Sequence, residues 1–275
     1  MDQTKIELRK VRDFGQLLSA TFEFIRQNFK LLFKSNLLIA APFILLAGVF
    51  MGFYQSSLFN FSNEPEIEQF AIPFLLSMLF MMFSYLVITM VTYSFIILYK
   101  NSELGSFDID DVWQTTKSNF WMLLFTGIGY AIIIGFGFLL LIIPGIYLSI
   151  ALSIIYIVRL EEGISFFAAI DRCIKIISGN WWFTFGLIIV VGFIQGFLGF
   201  IFYIPNYIVT FFLAFAGIDA STGETGKVLF VISSIIASLG TLLYAISIIA
   251  VAFQYFNLIE RKEAPGLMHQ IEDIK

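Results

Sequence analysis

The chain has 275 residues, of which 59% are hydrophobic and 13% are charged, with a net charge of -4. A soluble domain has about 25% charged residues and could not cover this much apolar surface, so lipid must solvate much of the chain. The weak net charge and the absence of a long basic run in the sequence give no indication of nucleic-acid binding.

The first predicted element is an amphipathic helix over 8–30. Apolar residues recur at spacings of three and four from Val11 to Phe29, and charged residues occupy the other positions. Such a helix lies in the plane of the membrane with its apolar face towards lipid. Two transmembrane spans are predicted to follow at 36–55 and 71–99, because charge-free runs of about 20 residues cross the hydrocarbon.

A second amphipathic helix is predicted over 107–119, with Asp108 as its N-cap. The following charge-free run, 118–158, is too long for one helix. Proline breaks a helix interior but is tolerated in the first turn, so Pro144-Gly145 is interpreted as a turn that begins a new helix. The third and fourth spans are therefore predicted at 120–142 and 145–160.

A third amphipathic helix is predicted over 164–178, followed by a span at 181–203. Pro205-Asn206 is expected to end that span, which leaves 206–217 too short to cross; this segment either lies at the outer surface or re-enters the membrane. The last span is predicted at 228–258, and 261–275 forms a short cytoplasmic tail.

Each amphipathic helix ends in asparagine and an aromatic residue, at Asn28-Phe29, Asn119-Phe120 and Asn180-Trp181, immediately before a span. This order indicates three copies of one unit. We therefore predict a single all-α polytopic membrane domain over 1–275. It has six transmembrane helices arranged as three hairpins, each preceded by a cytoplasmic amphipathic interfacial helix.

Basic residues predict the orientation, since loops rich in Lys and Arg stay in the cytoplasm. Every Lys and Arg except Lys227 falls on the side of the two termini, whereas the opposite connections contain Glu64, Glu66, Glu68, Asp219 and Glu224. The N- and C-termini are therefore predicted to be cytoplasmic. All four Trp residues fall near the same boundary, where indole rings are favoured.

Residues 142–186 and 253–265 resemble the membrane domain of glycerophosphoryl diester phosphodiesterases and related stand-alone bacterial membrane proteins of unknown function. The resemblance is carried by Pro144-Gly145-Ile146-Tyr147-Leu148, Glu161 or Glu162 with Gly163, Ala169, Arg172, Gly179-Asn180-Trp181 and the run from Tyr255 to Glu263. It implies a lipid-associated module of the bacterial cytoplasmic (inner) membrane. It does not imply phosphodiesterase activity, because the separate soluble catalytic domain of the fused proteins has no counterpart in these residues.

Charged residues at the cytoplasmic exit of the fourth span form one candidate site for a lipid headgroup or a partner: Arg159, Glu161, Glu162, Arg172 and Lys175. Carboxylates beside basic side chains can bind a phosphate headgroup. The structural alternative, which we favour, is that they complement helix ends and hold the interfacial helix by ion pairs.

A second candidate group, at the GxxxG spacing in the fifth span, contains Gly192, Gln195 and Gly196. We predict helix packing here, with an interhelical hydrogen bond from Gln195 worth about 1 kcal/mol. The alternative is that Gln195 faces a permeation path.

Three function classes remain. The favoured one is a non-catalytic membrane module, either a scaffold, an accessory subunit or a lipid-associated protein, whose partners are membrane lipids or another membrane protein. The alternative is a passive transporter or channel for apolar or lipid-like molecules, since the predicted spans contain no ionised side chain apart from Arg159 at the cytoplasmic end of the fourth. An enzyme is least favoured, because Cys173 and His269 are the only residues of their kinds and form no zinc spacing; no cofactor or metal is predicted.

Overall fold

The structure, a computed structural model, describes residues 5–58, 67–103, 106–216 and 224–263. The described residues form α-helices joined by short connections and contain no β-strand. The helices are α1 (Phe14–Leu58), α2 (Ile67–Asn101), α3 (Ile109–Ser118), α4 (Phe120–Leu140), α5 (Ile142–Ala151), α6 (Ile155–Glu162), α7 (Phe166–Ile177), α8 (Trp181–Ala216), α9 (Glu224–Leu239) and α10 (Tyr244–Glu263), with a 3₁₀ turn at Gly240–Leu243.

Helix α1 corrects the prediction of a separate interfacial helix at 8–30 before a span at 36–55. It begins after Asp13, whose carboxylate accepts a hydrogen bond from the Gln16 N–H (2.8 Å) while the Gln16 side chain accepts one from the Asp13 N–H (3.2 Å). It then runs without interruption to Leu58. The helix does not end at Asn28, because no Gly or Pro follows it directly. The Asn28 side chain donates a hydrogen bond to the Phe24 carbonyl of the same helix (2.9 Å).

The helices predicted at 107–119 and 164–178 correspond to α3 and α7. Asp108 caps α3 as predicted, because its carboxylate accepts hydrogen bonds from the N–H groups of Asp110 (2.9 Å) and Asp111 (3.1 Å). Ser165 caps α7 through the Ala168 N–H (3.4 Å). The location of both helices at the membrane interface stays a prediction.

Helices α4 and α5 form a tight hairpin whose turn lies at Leu141, three residues before the predicted Pro144-Gly145 turn. Pro144 lies in the first turn of α5, where its missing N–H leaves no helical hydrogen bond unmade. The predicted fourth span, 145–160, is two helices, α5 and α6, joined by a tight turn.

Helix α8 corrects the prediction of a helix end at Pro205. The helix continues through Pro205 to Ala216, so 206–216 are the last turns of α8 and not a separate segment, and residue 217 lies outside the described residues. A proline removes only one backbone hydrogen bond, and membrane helices tolerate it when neighbouring groups satisfy the freed carbonyl.

In the part of the chain that the structure describes, six helical segments are long and apolar enough to cross a membrane: Phe14–Leu58, Ile67–Asn101, Phe120–Leu140, Ile142–Glu162, Trp181–Leu213 and Thr225–Glu263. The second segment extends beyond the predicted span 71–99 at both ends, and the sixth segment extends beyond the predicted span 228–258 at both ends. The third ends two residues before the predicted 142. Of the predicted tail, Arg261, Lys262 and Glu263 still belong to α10, and 264–275 lie outside the described residues.

The chain divides into two compact units. The first unit comprises Met1–Ser35, Thr89–Phe193 and Ala245–Lys275, and the second comprises Asn36–Ile88 and Ile194–Tyr244. In the first unit, the Phe24 ring meets those of Phe95, Tyr99 and Phe253 edge to face, with ring centroids 6.1, 4.8 and 5.7 Å away. In the second unit, Gly48 and Gly52 of α1 allow the backbone of α9 to approach closely at Ile235 and Val231.

Candidate functional site

Polar side chains of the first unit form what we call the charged layer. Its members come from the N-terminal segment, the end of α2 and helices α6, α7 and α10: Arg9, Lys100, Arg159, Glu161, Glu162, Arg172, Lys175, Tyr255 and Glu263. All five residues predicted for the headgroup or partner site belong to it, but they do not form one cluster.

Glu161 is the buried acid of the charged layer. Its side chain is 4% exposed, it bonds Lys100 at the end of α2, and its carboxylate lies 3.7 Å from the Arg9 guanidinium. Lys5 strengthens the same junction, because its ammonium donates to the carbonyls of Lys100 (2.9 Å) and Ser102 (2.7 Å). Glu161 therefore holds the end of α2 and the N-terminal segment together, and is not available to an external ligand.

Glu162, the next residue, has different partners. Its two carboxylate oxygens share the single N–H of Arg172 Nε (3.0 and 2.8 Å), and one of them also accepts a hydrogen bond from the Tyr255 hydroxyl (3.1 Å). Arg172 Nη1 also contacts Glu263 at 2.6 Å. The hydrogen bonds with Glu263 and Glu162 raise the pKa of Arg172 further above its ordinary value, so this guanidinium is always charged. The four residues tie α6, α7 and the end of α10 together.

Arg159 takes no part in these ion pairs. Its Nη1 donates to the Met122 carbonyl (3.2 Å) and the Thr126 hydroxyl (2.5 Å) of α4, and its Nε donates to the Ile164 carbonyl (3.3 Å). All three acceptors are neutral oxygens. Arg159 therefore bridges α6 to α4 while its positive charge has no carboxylate partner among the described residues.

Lys175 is exposed, and its backbone takes part in a helix cap. The Lys262 ammonium of α10 donates to the carbonyls of Lys175 and Ser178, each at 2.7 Å. These are carbonyls at the C-terminal end of α7, where a cation is favoured. The Lys175 side chain projects from the outer side of α7 and stays a candidate for headgroup contact.

A chain of buried amides lies beside the charged layer. The Arg12 N–H donates to Asn257 (2.9 Å), Asn257 donates to Gln254 (3.1 Å), and Gln254 donates to the Thr184 hydroxyl (2.9 Å). The Arg261 guanidinium donates a hydrogen bond to the Arg12 carbonyl (2.8 Å). Burial lowers the pKa of Arg12, whose guanidinium is bonded to backbone carbonyls and lies over the Phe253 ring. This network connects the N-terminal segment to α8 and α10.

A cleft of about 560 Å³ adjoins Arg12 on the N-terminal segment and the first turns of α1. Lys10 and Glu23 supply charges of opposite sign to its lining, with Gln16 and Ser19 also contributing polar groups. The cleft is open, and its acidic and basic residues give it no single electrostatic preference.

The second unit contains its own buried polar cluster. The Asn206 amide donates to Gln55 (2.7 Å), Ser234 (3.2 Å) and Ser233 (3.3 Å), and Ser234 also donates to Gln55 (3.1 Å). Asn206 follows Pro205 directly, so the cluster ties α8 to α1 and α9 at the position where a helix hydrogen bond is missing.

No described residue packs closely against the predicted packing face at Gly192 and Gly196. Both glycines are exposed, and a Cβ at either position would meet no atom within 4 Å. Gln195, between them, is half-buried. Both glycines therefore lie on the outward side of α8, and the predicted helix packing at this GxxxG spacing, with a hydrogen bond from Gln195, stays a prediction.

Cys173 lies on the buried side of α7, and burial raises the pKa of its thiol to about 12. Among the described residues, no group of three His, Cys, Asp or Glu side chains is placed to hold a metal ion. His269 lies outside the described residues.

Sequence reasoning found Arg159, Glu161, Glu162, Arg172 and Lys175 from their charge, but it did not find their partners. It missed Lys100, Arg9, Tyr255 and Glu263, which are separated from their partners by 61 to 152 positions, beyond any helical spacing. The only available signal was that all of these residues lie on the side predicted to be cytoplasmic.

Six apolar helices together with a charged layer in the first unit define an all-α polytopic membrane protein. The chain matches no known protein family, no curated protein and no solved structure. The resemblance to the phosphodiesterase membrane domain therefore stays a prediction.

Proposed function

We propose that this protein is a non-catalytic module of the bacterial cytoplasmic membrane that holds lipid headgroups, or a membrane-protein partner, at its charged layer. In this proposal both termini and the charged layer face the cytoplasm, as the distribution of Lys and Arg predicts. The resemblance noted above supports the bacterial assignment.

One observation carries the proposal: the acids of the charged layer are bound to cations of other structural elements. Glu161 binds Lys100, and Glu162 binds Arg172 and Tyr255. Ion pairs between different helices give a fixed framework. On this framework Arg159 and Lys175 present positive charge that has no carboxylate partner among the described residues.

Native mass spectrometry of the detergent-purified protein tests this proposal. Co-purified phospholipid is expected if the module handles lipid, and a second polypeptide in fixed ratio is expected if it is an accessory subunit. The detergent should be one that preserves lipid adducts on a known lipid-binding membrane protein. If the purified protein then carries neither phospholipid nor a second polypeptide, both the lipid-handling and the accessory-subunit forms of the proposal are wrong.

A passive transporter or channel is the second candidate, and the polar cluster of the second unit favours it. Gln55, Asn206, Ser233 and Ser234 are amide and hydroxyl groups within otherwise apolar helices, as in a path for a lipid-like molecule. Flux of a fluorescent lipid analogue in proteoliposomes is the test. Asn206→Leu and Gln195→Ala should slow it, and a wild-type rate equal to that of protein-free liposomes would exclude transport of that analogue.

A further inference from the structure

Arg159 has an unused hydrogen-bonding edge. A guanidinium has five N–H donors, and the three bonds to Met122, Thr126 and Ile164 use those of Nε and Nη1. Nη2 makes no hydrogen bond to the described residues. Arg159 is half-buried, so part of its side chain reaches the molecular surface.

The charge of Arg159 also needs a counter-ion. Arg159 lies in the segment Ile142–Glu162, which is long and apolar enough to cross a membrane. Ionised side chains are costly there unless they are paired. The acids that follow it on α6 already bind Lys100 and Arg172. The described residues therefore leave the Arg159 guanidinium without a counter-ion, and an anionic ligand could supply one.

The N-terminus of α7 strengthens the positive potential beside Arg159. Nε of Arg159 bonds the carbonyl of Ile164, and α7 begins two residues later at Phe166. The first N–H groups of a helix have no intrahelical acceptor, and the helix dipole makes this end positive. In the 12-residue α7, only the Ala168 N–H is capped by a side chain, that of Ser165. An anion beside Arg159 would interact favourably with both groups.

Exposed aromatic side chains follow or precede the groups that Arg159 contacts along α4 and α7. Phe167, in the first turn of α7, is 79% exposed, and Phe125, next to Thr126 on α4, is 62% exposed. Trp121 is exposed one turn earlier on α4, as expected of a ring at the membrane interface. A free phosphate ion leaves these side chains uncovered, whereas the glycerol and acyl chains of a phospholipid cover them.

We propose that Arg159 Nη2, together with the N-terminus of α7, binds the phosphate of one anionic glycerophospholipid, with its acyl chains against Phe125 and Phe167. This inference rests on the proposed function and specifies the ligand of its charged layer. It assigns Arg159 to ligand binding and assigns Glu161, Glu162 and Arg172 to the framework.

The test is a titration of the delipidated protein with phosphatidylglycerol, followed by native mass spectrometry. Arg159→Gln removes the guanidinium. Phe167→Glu places a carboxylate beside the proposed site. Because Phe167 is exposed, this variant should fold, and it tests the site even if Arg159→Gln does not fold. Lys227→Gln is the control for loss of an exposed cation, and Phe167→Leu is the control for loss of the ring.

We expect both variants to weaken the affinity for the first phosphatidylglycerol bound by about tenfold or more. Arg159→Gln removes a charge-assisted hydrogen bond to the phosphate, and Phe167→Glu repels the phosphate. The two controls should bind as the wild type does. Inorganic phosphate at millimolar concentration should not displace the lipid, and displacement would overturn the lipid assignment in favour of a soluble phosphate ligand.

Two failures are distinguishable. If the wild type binds phosphatidylglycerol and both variants bind it equally well, the Arg159 site is wrong while lipid association in general stands. If the wild type binds no phosphatidylglycerol or other phospholipid, then both this inference and the lipid-handling form of the proposed function are wrong.

Discussion

Glu161 and Glu162 show how adjacent residues acquire separate roles. Successive side chains on a helix point about 100° apart, so Glu161 faces Lys100 of α2 while Glu162 faces Arg172 of α7 and Tyr255 of α10. A pair of acids that is a single feature in the sequence thus contributes to two different junctions of the first unit.

Replacing Glu161 with Gln should destabilise the protein by about 2 kcal/mol, because Lys100 and Arg9 then lose their carboxylate at a buried position. The partial exposure of both cations keeps the loss below that for a fully buried pair. Thermal unfolding in detergent measures the effect, with exposed Glu103→Gln as the control. Equal melting temperatures for the two variants would show that the Glu161 pair has no stabilising role.

Cys173 should be chemically inert in the folded protein. Burial raises the pKa of its thiol to about 12, so almost no thiolate exists at pH 8, and reagents cannot reach the sulfur. We expect no labelling by a maleimide at pH 8 in detergent and complete labelling after denaturation in sodium dodecyl sulfate. Fast labelling of the native protein would place Cys173 on an accessible side of α7.

At the scale of elements, the α4–α5 hairpin depends on close backbone approach. A Cβ on Gly145 would lie 2.6 Å from the Phe138 ring and 2.9 Å from its backbone nitrogen, and a Cβ on Gly137 would lie 3.1 Å from the Gly145 Cα. Only glycine at these positions lets the two helices pack as closely as they do, which explains why the turn can be a single residue, Leu141.

Gly145→Ala should therefore destabilise the protein by about 1–3 kcal/mol through overpacking against Phe138. Gly135→Ala, in the same hairpin, is the matched control, since its Cβ would meet no atom within 4 Å. It should be neutral, or stabilising by up to about 1 kcal/mol from helix propensity. Thermal unfolding of both variants checks the prediction, which fails if Gly135→Ala is the more damaging change.

The tip of this hairpin should lie in hydrocarbon. Leu139, Leu140, Leu141, Ile142 and Ile143 are between 67% and 81% exposed, and residues 131–146 include no polar side chain. Contact with water would cost about 1.5–3 kcal/mol for each of these side chains. The other two outer connections differ, because they contain Glu64, Glu66 and Asp219.

Cysteine labelling of whole cells tests this placement. A membrane-impermeant maleimide should not label Leu141→Cys, because a thiol in hydrocarbon neither ionises nor meets the reagent. The reagent should label Ser62→Cys, in the predicted outer connection between the first two spans. Cys173→Ser supplies the background for both. Labelling of Leu141→Cys at a rate similar to Ser62→Cys would place the hairpin tip in water.

For the whole molecule, the proposed orientation has a direct test. Green fluorescent protein fused after Lys275 should fluoresce, and alkaline phosphatase at the same position should be inactive, because that end is proposed to be cytoplasmic. Alkaline phosphatase inserted after Ser62 should be active. The reverse pattern would place the charged layer outside the cell and would remove the basis for a cytoplasmic partner.

The sequence alone determined that the protein is all-α and crosses the membrane several times. Partition into lipid depends on the composition of each stretch of about 20 residues, so charge-free runs locate spans without knowledge of the fold. Helix ends set by local side chains are predictable for the same reason, as at Asp108.

Tertiary structure decided where two helices continue and which side chains meet. Asn28 and Pro205 are local signals for a helix end, yet both helices continue past them. The Asn28 side chain bonds a carbonyl within α1 instead of ending the helix, and at Pro205 a helix end in lipid would leave several peptide groups unbonded. Contacts between distant segments pair Lys100 with Glu161 and bring Arg159 to neutral oxygens of α4. No periodic pattern in the sequence predicts such contacts, because they form only when the helices pack.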